Sequence, residues 1–460
     1  MPTPSLESVA SLWRLAGMPG QALEWLDLPG ADPVFPSSFA VAAAGQSAIA
    51  AAALAACELG HARGTARQRV SVPAEHAAAE CSGWFALDGA TPEAWDAFSG
   101  LYRCADGHVR VHANFRHHRD GALRLLGLPP ETATREDAER AMAGWRAIDF
   151  ETAAAERGLV ATALRTFAQW DATAQGQAIA AQPLMAIERI GDAPPLPLPA
   201  LDGSQRPLSG VRALDLTRVL AGPVAGRALA GLGADVMLVN GPHLPNIDAI
   251  ADTSRGKRSA LVDLRTDGGQ DTLRRLVDGA HVFSQGYRPG GLAARGFSPE
   301  ALAQRRPGIV CVLLTAYGTQ GPWADRRGFD SLVQTAMGFN HAEGEAAGNG
   351  TPRALPMQIL DQATGWLMAF GAAAALWRQQ RDGGSWHVQV SLAQTGHWLR
   401  GMGRVPEGLQ AARPPLAPYV ERSASGFGPL DAVKPSARLE RTPMRYDRRS
   451  EPPGSAPAQW

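Results

Sequence analysis

Residues 211–239 read VRALDLTRVLAGPVAGRALAGLGADVMLV. The run at 211–216 is short and apolar, as is typical of a β-strand, and residues 217–223 are typical of a turn. A helix is predicted from that turn to about Leu232, and residues 234–239 predict a second strand. A strand, a helix and a further strand in this order form the repeating unit of a parallel sheet.

The same alternation continues along the chain. Further elements are predicted, in the order strand, helix, strand, helix, strand, at residues 259–264, 268–277, 281–284, 299–305 and 309–314. Strands that alternate with helices predict an α/β fold with an open parallel, Rossmann-like sheet and helices on both faces. Residues 240–258 and 316–354 show no clear period, and they are predicted to be loops that carry function.

Composition narrows the classes of partner and compartment. The chain has 460 residues with 44 basic and 44 acidic side chains, so its formal net charge is zero. That balance gives no electrostatic reason to expect nucleic acid or an anionic membrane as partner. The four cysteines form no CxxC pair, which is typical of reduced thiols in a cytoplasmic protein.

One apolar stretch is nearly long enough to span a bilayer. Residues 39–57 carry no charge, but they are mostly alanine and include Gln46 and Ser47. This composition favours a buried helix of a soluble core over a transmembrane segment. The first residues lack the basic and apolar regions of a signal peptide, so export is not expected.

Proline-rich stretches divide the chain into predicted domains. Residues 192–207 (DAPPLPLPALDGSQRP) are predicted to be a linker, which separates a segment at 1–191 from a domain at 208–403. Residues 404–460 carry scattered Pro, Gly and Arg, and they predict an extended C-terminal tail that wraps the surface with little regular structure.

The chain contains an internal repeat. Residues 41–72 align without a gap on residues 361–392, with eight identical positions out of 32. The glycine and Val-Ser matches keep their register across a helix, a glycine turn and a strand, which indicates a repeated helix–turn–strand unit. Val41 stands where Asp361 stands in the second copy.

Asp361 is the only charged residue between Arg353 and Arg378, and an alanine-rich helix follows it at once. A carboxylate at the start of a helix is either an N-cap, which accepts hydrogen bonds from the first turn, or a nucleophile.

Five stretches resemble, in order and spacing, the N-terminal half of the class III CoA-transferases. That family includes formyl-CoA transferase, carnitine CoA-transferase and the alpha-methylacyl-CoA racemases. The stretches are LDLTRVLAGPVAGRALAGLGADVMLV at 214–239, RGKRSALVDLRTDGG at 255–269, YRPGGLAARGF at 287–297, YGTQGPWADRRGFDSLVQTAMGF at 317–339 and GGSWHVQVSL at 383–392.

Residues 39–190 resemble the family's C-terminal half more weakly. The sequence YRCADG at 102–107 looks like the start of its small domain. The halves are therefore in swapped order. We expect the N-terminal part to supply a smaller α+β domain and to complete the sheet that begins after Pro207.

The resemblance implies a function. Asp361 aligns with the family's catalytic aspartate, which accepts CoA from an acyl-CoA thioester and passes it to a carboxylic acid through an aspartyl-CoA intermediate. CoA is then a substrate, no metal or redox cofactor is implied, and relatives form interlocked homodimers. Two alternatives stay open: another acyl-CoA reaction such as isomerisation, or a non-catalytic family member that serves as a binding or assembly subunit.

The resemblance also implies roles for residues around Asp361. The turn after the first strand approaches the CoA, two arginines contact its phosphates and one tyrosine lies near its adenine or pantetheine; these are Val219, Leu220, Ala221, Arg265, Arg327 and Tyr287. Each has a plainer alternative as a connecting loop, a surface charge or a half-buried aromatic.

Two further positions bear on the substrate. Phe329 stands where the racemases carry a histidine, so racemisation by two bases is disfavoured. Asp330 either orients the substrate or is a solvated loop carboxylate. Asn240, Gly286 and Ala294 depart from the family pattern, and we expect these departures to weaken or alter CoA binding. The grouped histidines His112, His117 and His118 suit no standard metal motif and are predicted to lie in a solvated loop.

Overall fold

The computed structural model describes residues 4–460. Within this range the α-helices are α1 Pro4–Ala16, α2 Val41–Ala62, α3 Ala74–Cys81, α4 Arg116–Leu125, α5 Arg135–Met142, α6 Ala147–Glu156, α7 Phe167–Asp171, α8 Ala174–Ala180, α9 Ala221–Gly231, α10 Ile250–Thr253, α11 Asp267–Asp278, α12 Pro299–Arg305, α13 Asp330–Met337, α14 Phe339–Ala346, α15 Ile359–Asp382 and α16 Leu392–Gly401.

The strands are β1 Leu26–Asp27, β2 Val70–Ser71, β3 Phe85–Leu87, β4 Gly100–Arg103, β5 His108–Val111, β6 Ala161–Ala163, β7 Met185–Gly191, β8 Arg212–Leu216, β9 Asp235–Asn240, β10 Arg258–Leu261, β11 Val282–Gln285, β12 Val310–Thr315, β13 Ser385–Ser391, β14 Val420–Ser423, β15 Leu430–Val433 and β16 Arg438–Leu439.

A seven-stranded sheet forms the centre of the molecule, in the order β10-β9-β8-β11-β12-β13-β7. Its first six strands are parallel, and β7 runs antiparallel to β13. The central strands are short apolar runs because helices bury both of their faces. The predicted α/β fold with an open, mostly parallel sheet is therefore confirmed.

The N-terminal half completes this sheet. Strand β7 lies before the proline-rich stretch, and its residue Met185 pairs with Val390 of β13. This confirms the expectation that residues before Pro207 join the sheet that begins after it. The antiparallel direction of this edge strand was not predicted.

The repeated unit is visible in the structure. Helices α2 and α15 are almost wholly buried and pack against each other. Each is followed by a glycine with positive φ, Gly64 at 101° and Gly384 at 84°, in the left-handed region that favours glycine. The strands that follow also correspond, because β2 and β13 each have one parallel and one antiparallel neighbour.

A smaller α+β unit has its own core. The antiparallel strands β4, β5 and β6 carry helices α4, α5 and α6, and together they bury a separate apolar cluster that includes Phe150 and Met142. Strands β5 and β6 pack against α13. The unit therefore brings its side chains to the start of that helix.

Two regions have more regular structure than predicted. The segment at 316–354 contains α13 and α14, separated by Gly338 at a φ of 105°. The tail at 404–460 contributes β14, β15 and β16, of which β15 pairs with β3 and β16 with β2. The indole N–H of Trp460 donates to the carbonyl of Leu276 at 2.7 Å, so the tail is held against the sheet domain.

Helices α2 and α15 are long and apolar enough to cross a membrane by length and composition alone. Both are core helices here, with 100% and 94% of their most apolar window buried inside the protein. The prediction of a buried helix at 39–57 agrees with this placement.

A close helix contact fixes the position of α15. A Cβ atom at Gly365 would collide with the carbonyl oxygen of Ala221 and lie 2.8 Å from Cβ of Val224, both in α9. Glycine is therefore required for this approach. Because residues four apart share a helix face, Gly365 also places Asp361 next to the start of α9.

We expect Gly365→Ala to lower the free energy of unfolding by about 1–3 kcal/mol, because the added methyl group overpacks the contact between α15 and α9. Denaturant unfolding of the purified chain measures this change. Gly268→Ala is the matched control, since Gly268 is also helical and a Cβ added there would have no atom within 4 Å. Equal stability of the two variants would contradict the close-contact account.

Candidate active site

Asp361 lies in the first turn of α15, but it does not cap the helix. The N-cap residue is Gln358, which makes no side-chain capping hydrogen bond. The side chain of Asp361 is 9% exposed, and its carboxylate accepts no hydrogen bond from any residue between 4 and 460. The N-cap alternative for Asp361 is therefore wrong, and its carboxylate is free to meet a ligand.

Asp330 supplies the cap from another helix. Its carboxylate accepts hydrogen bonds from the backbone N–H of Asp361 at 2.9 Å and from that of Leu360. The side chain of Gln334 donates to the same carboxylate and also accepts from the N–H of Leu355 at 3.0 Å. Asp330 is fully buried, so the solvated-loop alternative for this residue is wrong; its role toward a substrate stays a prediction.

The pKa values of both carboxyl groups are raised. Burial raises the pKa of Asp330 to about 7, although the N–H of Asp361 and the Gln334 amide act in the opposite direction. Burial, and then the charge of Asp330, raise the pKa of Asp361 well above its usual value, so the electrostatic effect runs from Asp330 to Asp361. Asp330 has hydrogen-bond donors and Asp361 has none, so a proton on this pair resides on Asp361.

The start of α9 faces the same place. Val219, two residues before this helix, has a φ of 74°, which is an outlier for a β-branched residue. Such strain clusters at functional sites. Within residues 4–460, the N–H groups of Ala221 and Gly222 have no hydrogen-bond acceptor. They form a positive end of the helix that favours a negatively charged ligand atom.

Asp361 lies between two cavities. The first has a volume of about 500 Å³ and is lined by parts of both halves of the chain, among them Phe85, Trp95, His112, Asn246 and Ile247. The second has a volume of about 320 Å³ and lies over the carboxyl ends of β8, β11 and β12. Val219, Leu220, Phe329 and Asp361 line both.

A third cavity of about 390 Å³ adjoins the second and shares four lining residues with it, namely Leu244, Tyr287, Arg288 and Arg327. Its floor is apolar and its rim is cationic. The floor consists of Leu216, Val239, Val262, Leu264 and Leu292, and the rim carries Arg265, Arg288, Arg295 and Arg327. An apolar floor and several guanidinium groups suit a nucleotide with its phosphates.

The structure gathers most of the predicted site residues around Asp361. Val219, Leu220 and Phe329 line the first two cavities, Ala221 lines the second, Tyr287 and Arg327 line the second and third, and Arg265 lines the third. Arg265 is held by Asp263 at 2.7 Å and is exposed. Asp330 lines none of these three cavities.

Comparison with known proteins assigns the second part of the chain. Residues 208–404 match the sequence model of CoA-transferase family III. This segment is similar to that family. A probable fatty acyl-CoA transferase of Mycobacterium tuberculosis is 35% identical over 234 residues, which are 48% of this chain and 56% of that protein. A succinate–glutarate CoA-transferase of Agrobacterium fabrum is 35% identical over 250 residues, 48% of this chain and 62% of that protein.

An orthorhombic crystal structure of the M. tuberculosis protein superposes with a TM-score of 0.40 at 33% identity, over 43% of this chain and 58% of that one. The chain thus spans less than two thirds of these relatives. The family III match covers residues 208–404. The part of the site that comes from the N-terminal half of the chain therefore lies outside it.

Residues from that N-terminal half were missed as site residues. His112 is buried and stacks on Phe329, with ring centroids 4.0 Å apart. His118 is also buried, so the solvated-loop prediction for the three histidines is wrong for these two. Arg218 and Arg288, which lie in family III segments, line the second cavity and have no carboxylate partner among the described residues.

The coupling of the two carboxyls gives a pH prediction. A raised pKa means that Asp361 becomes ionised only as pH rises through a value above 3.8, so any rate that needs its carboxylate increases over that range. Asp330→Asn removes the neighbouring charge. We expect it to move the acid limb of the pH profile to lower pH by roughly one to three units.

The pH profile is measured as kcat/KM for an acyl-CoA over a series of pH values. Asp325→Asn serves as control because Asp325 is exposed and lies in the same segment as Asp330. An acid limb that stays in place in Asp330→Asn would mean that the two carboxyls do not interact.

Proposed function

We propose that this chain is a CoA-transferase of the CaiB/BaiF type, which moves CoA from an acyl-CoA thioester to a carboxylic acid through an aspartyl-CoA intermediate on Asp361. The observation that supports this most strongly is the position of Asp361. Its carboxylate has no protein partner, and it separates a cavity with a cationic approach from a second chamber.

The three cavities fit the parts of an acyl-CoA. The third cavity offers an apolar floor for the adenine and arginines for the phosphates. The second is narrower and leads past Tyr287 and Arg218 to Asp361, which suits the pantetheine arm. The thioester then lies at Asp361, and the acyl group enters the first cavity.

The first half-reaction uses Asp361 as nucleophile. A carboxylate oxygen attacks the thioester carbonyl carbon, the C–S bond breaks, and the CoA thiolate leaves a mixed anhydride. The thiolate then attacks Cγ of Asp361. The bond from Cγ to the bridging oxygen breaks, the donor acid leaves as its carboxylate, and the aspartyl-CoA thioester remains.

The second half-reaction runs in reverse with the acceptor acid. Its carboxylate attacks Cγ, the thiolate leaves and attacks the acceptor's carbonyl in the new anhydride, and the Asp361 carboxylate is regenerated. Each attack creates an oxyanion. The N–H groups of Ala221 and Gly222 at the start of α9 have no acceptor among the described residues, and Ala221 lines the second cavity with Asp361, so we propose them as donors for that charge.

This chemistry requires a carboxylate and a thioester, and we propose that CoA enters only as a substrate and that no metal or redox cofactor takes part. The four cysteines are buried free thiols, which suits a reducing compartment such as the cytoplasm. The resemblance implies a homodimer. We propose that one chain already forms a complete site, because the small α+β unit reaches Phe329 within the same chain.

His112 supports a second candidate function. Its ring lies against Phe329 and lines the first cavity with Asp361, so a histidine is present although Phe329 itself cannot transfer a proton. A base at this place could exchange the α-hydrogen of an acyl-CoA, as an isomerase does. Burial lowers the pKa of His112 to about 4, so the ring is neutral at pH 7.

Steady-state kinetics with Asp361→Asn test the main proposal. We expect CoA transfer to fall by about 10⁴-fold or more, since the nucleophile is lost, while acyl-CoA still binds. Asp382→Asn is the control, because Asp382 lies at the exposed far end of the same helix. Transfer that persists in Asp361→Asn would overturn the covalent mechanism.

Deuterium uptake separates the two enzymatic candidates. Exchange of the α-hydrogen in heavy water without CoA transfer to any acid would support isomerisation by His112. Absence of saturable acyl-CoA binding would instead support a non-catalytic subunit.

A further inference from the structure

Arg110 of β5 is a buried cation without a partner. It is 9% exposed, and its side chain makes no hydrogen bond or ion pair with any residue between 4 and 460. A buried guanidinium is costly unless its N–H groups are satisfied. The arrangement therefore calls for an acceptor that comes from outside the chain.

The other buried arginines show that this is unusual here. Arg165, Arg227, Arg255 and Arg206 are each paired with a carboxylate, and Arg63 donates to backbone carbonyls. Burial lowers the pKa of Arg110 to about 10, so its guanidinium keeps its charge at neutral pH.

The surroundings of Arg110 place it at the first cavity. Its Cζ lies 5.5 Å from the centroid of the Trp95 ring, and Trp95 lines that cavity. His112 follows β5 two positions after Arg110, and it is close enough for the charge of Arg110 to contribute to lowering its pKa. His112 in turn stacks on Phe329 and lines the same cavity. The guanidinium is thus close to Trp95 and His112, two side chains that line the chamber next to Asp361, although Arg110 is not itself a lining residue.

Asp330 does not provide an acceptor for the N–H groups of Arg110. It is near enough to Arg110 for an electrostatic interaction, but no ion pair forms within 4.0 Å. The carboxylate of Asp330 is occupied by the N–H groups of Asp361 and Leu360 and by Gln334. The five N–H groups of the Arg110 guanidinium are consequently free for another acceptor.

The remaining charges of the first cavity lie toward solvent. Besides Asp361, its acidic side chains are Glu93 and Asp248, which are exposed, and Asp96, which is half-buried and 3.8 Å from Arg119. No lysine or arginine is among the lining residues, and His112 is neutral at pH 7. An anionic group that enters this chamber has Arg110 as its buried cation.

We propose that Arg110 binds a second carboxylate of the substrate acid, the one that does not react with Asp361. This inference rests on the proposed function and specifies it: the acids that exchange CoA are dicarboxylic acids, and the donors are their mono-CoA thioesters. A guanidinium binds a carboxylate through two parallel N–H···O bonds, so it supplies charge and direction together. The bound carboxylate would satisfy the donors that the chain leaves free.

The test compares acids of equal length with and without the second carboxylate. Succinate, glutarate and adipate are measured against butyrate, pentanoate and hexanoate as CoA acceptors with the full chain. We expect the ratio of kcat/KM for the best dicarboxylate to that of its matched monocarboxylate to be at least about tenfold, as is usual for hydrogen bonds to a charged group. In Arg110→Met we expect that ratio to fall by about 10- to 100-fold.

Two further variants complete the series. Arg110→Lys keeps the charge but loses the planar fork, so an intermediate ratio is expected. Arg103→Met is the matched control, because Arg103 is exposed on the neighbouring strand β4. Arg110→Met removes an unpaired buried charge, so its melting temperature is expected to be no lower than that of the wild type.

Calorimetric titration of glutarate and pentanoate gives a readout that does not depend on turnover. We expect glutarate to bind the wild type at least about tenfold more tightly than pentanoate, and this difference to vanish in Arg110→Met. If no acid accepts CoA but this binding difference is present, the proposed function fails while the carboxylate site stands.

Two results would overturn the role of Arg110. One is CoA transfer to mono- and dicarboxylates with equal efficiency in the wild type. The other is an equal loss for both classes in Arg110→Met, which is the result expected if Arg110 only compensates the charge of Asp330. In either case the proposed CoA transfer through Asp361 would still hold.

Discussion

The hydrogen bond from the backbone N–H of Asp361 to the carboxylate of Asp330 joins the two helices on which the site depends. Helix α15 begins in the core, where an unsatisfied first turn would be costly. Asp330, at the first position of α13, satisfies that turn. The side chain of Asp361 is thereby spared from capping its own helix and faces the cavities. The cost is a pair of neighbouring buried carboxyls: burial raises the pKa of both, and the charge of Asp330 further raises that of Asp361.

The first copy of the repeat uses the same device. The carboxylate of Asp32 accepts hydrogen bonds from the N–H groups of Ala42 and Ala43, at 3.3 and 2.8 Å, at the start of α2. Both central helices are therefore capped by a carboxylate from a separate segment. In α2 the position that corresponds to Asp361 is Val41, which is fully buried. The repeat thus preserves the helix pair as a scaffold and keeps a free carboxylate in one copy only.

Much of the sheet could be predicted from sequence because its strands are apolar runs between helices with clear turns. Strand β7 was not predicted as an edge strand. Its sequence, MAIERIG, carries charges on its exposed positions and shows no continuous apolar run. Helices α13 and α14 were not predicted because each has only eight residues, too few for a clear helical period, and neither begins with a side-chain cap. The seven-residue α12 was predicted; it begins with a Ser298 cap and a proline, which are sequence signals for a helix start.

The site residues also divide into those that the sequence could predict and those that it could not. Asp361 could be singled out because it is the only charge between Arg353 and Arg378, but its position left the N-cap alternative open, and the family resemblance was needed to predict a nucleophile. The cap from Asp330, the stacking of His112 on Phe329 and the unpaired state of Arg110 arise from contacts between segments far apart in the chain. No local pattern encodes such contacts, so they become visible only when the N-terminal unit is seen against α13.

The central claim is that Asp361 carries CoA covalently, and intact-mass spectrometry of the full chain after mixing with an acyl-CoA tests it most directly. Hydroxylamine trapping followed by peptide mapping identifies the modified residue. The account predicts a CoA adduct, and a hydroxamate after trapping, on the peptide that contains Asp361, with neither in Asp361→Ala. An adduct on another residue, or CoA transfer to an acid without any adduct under rapid quenching, would contradict it.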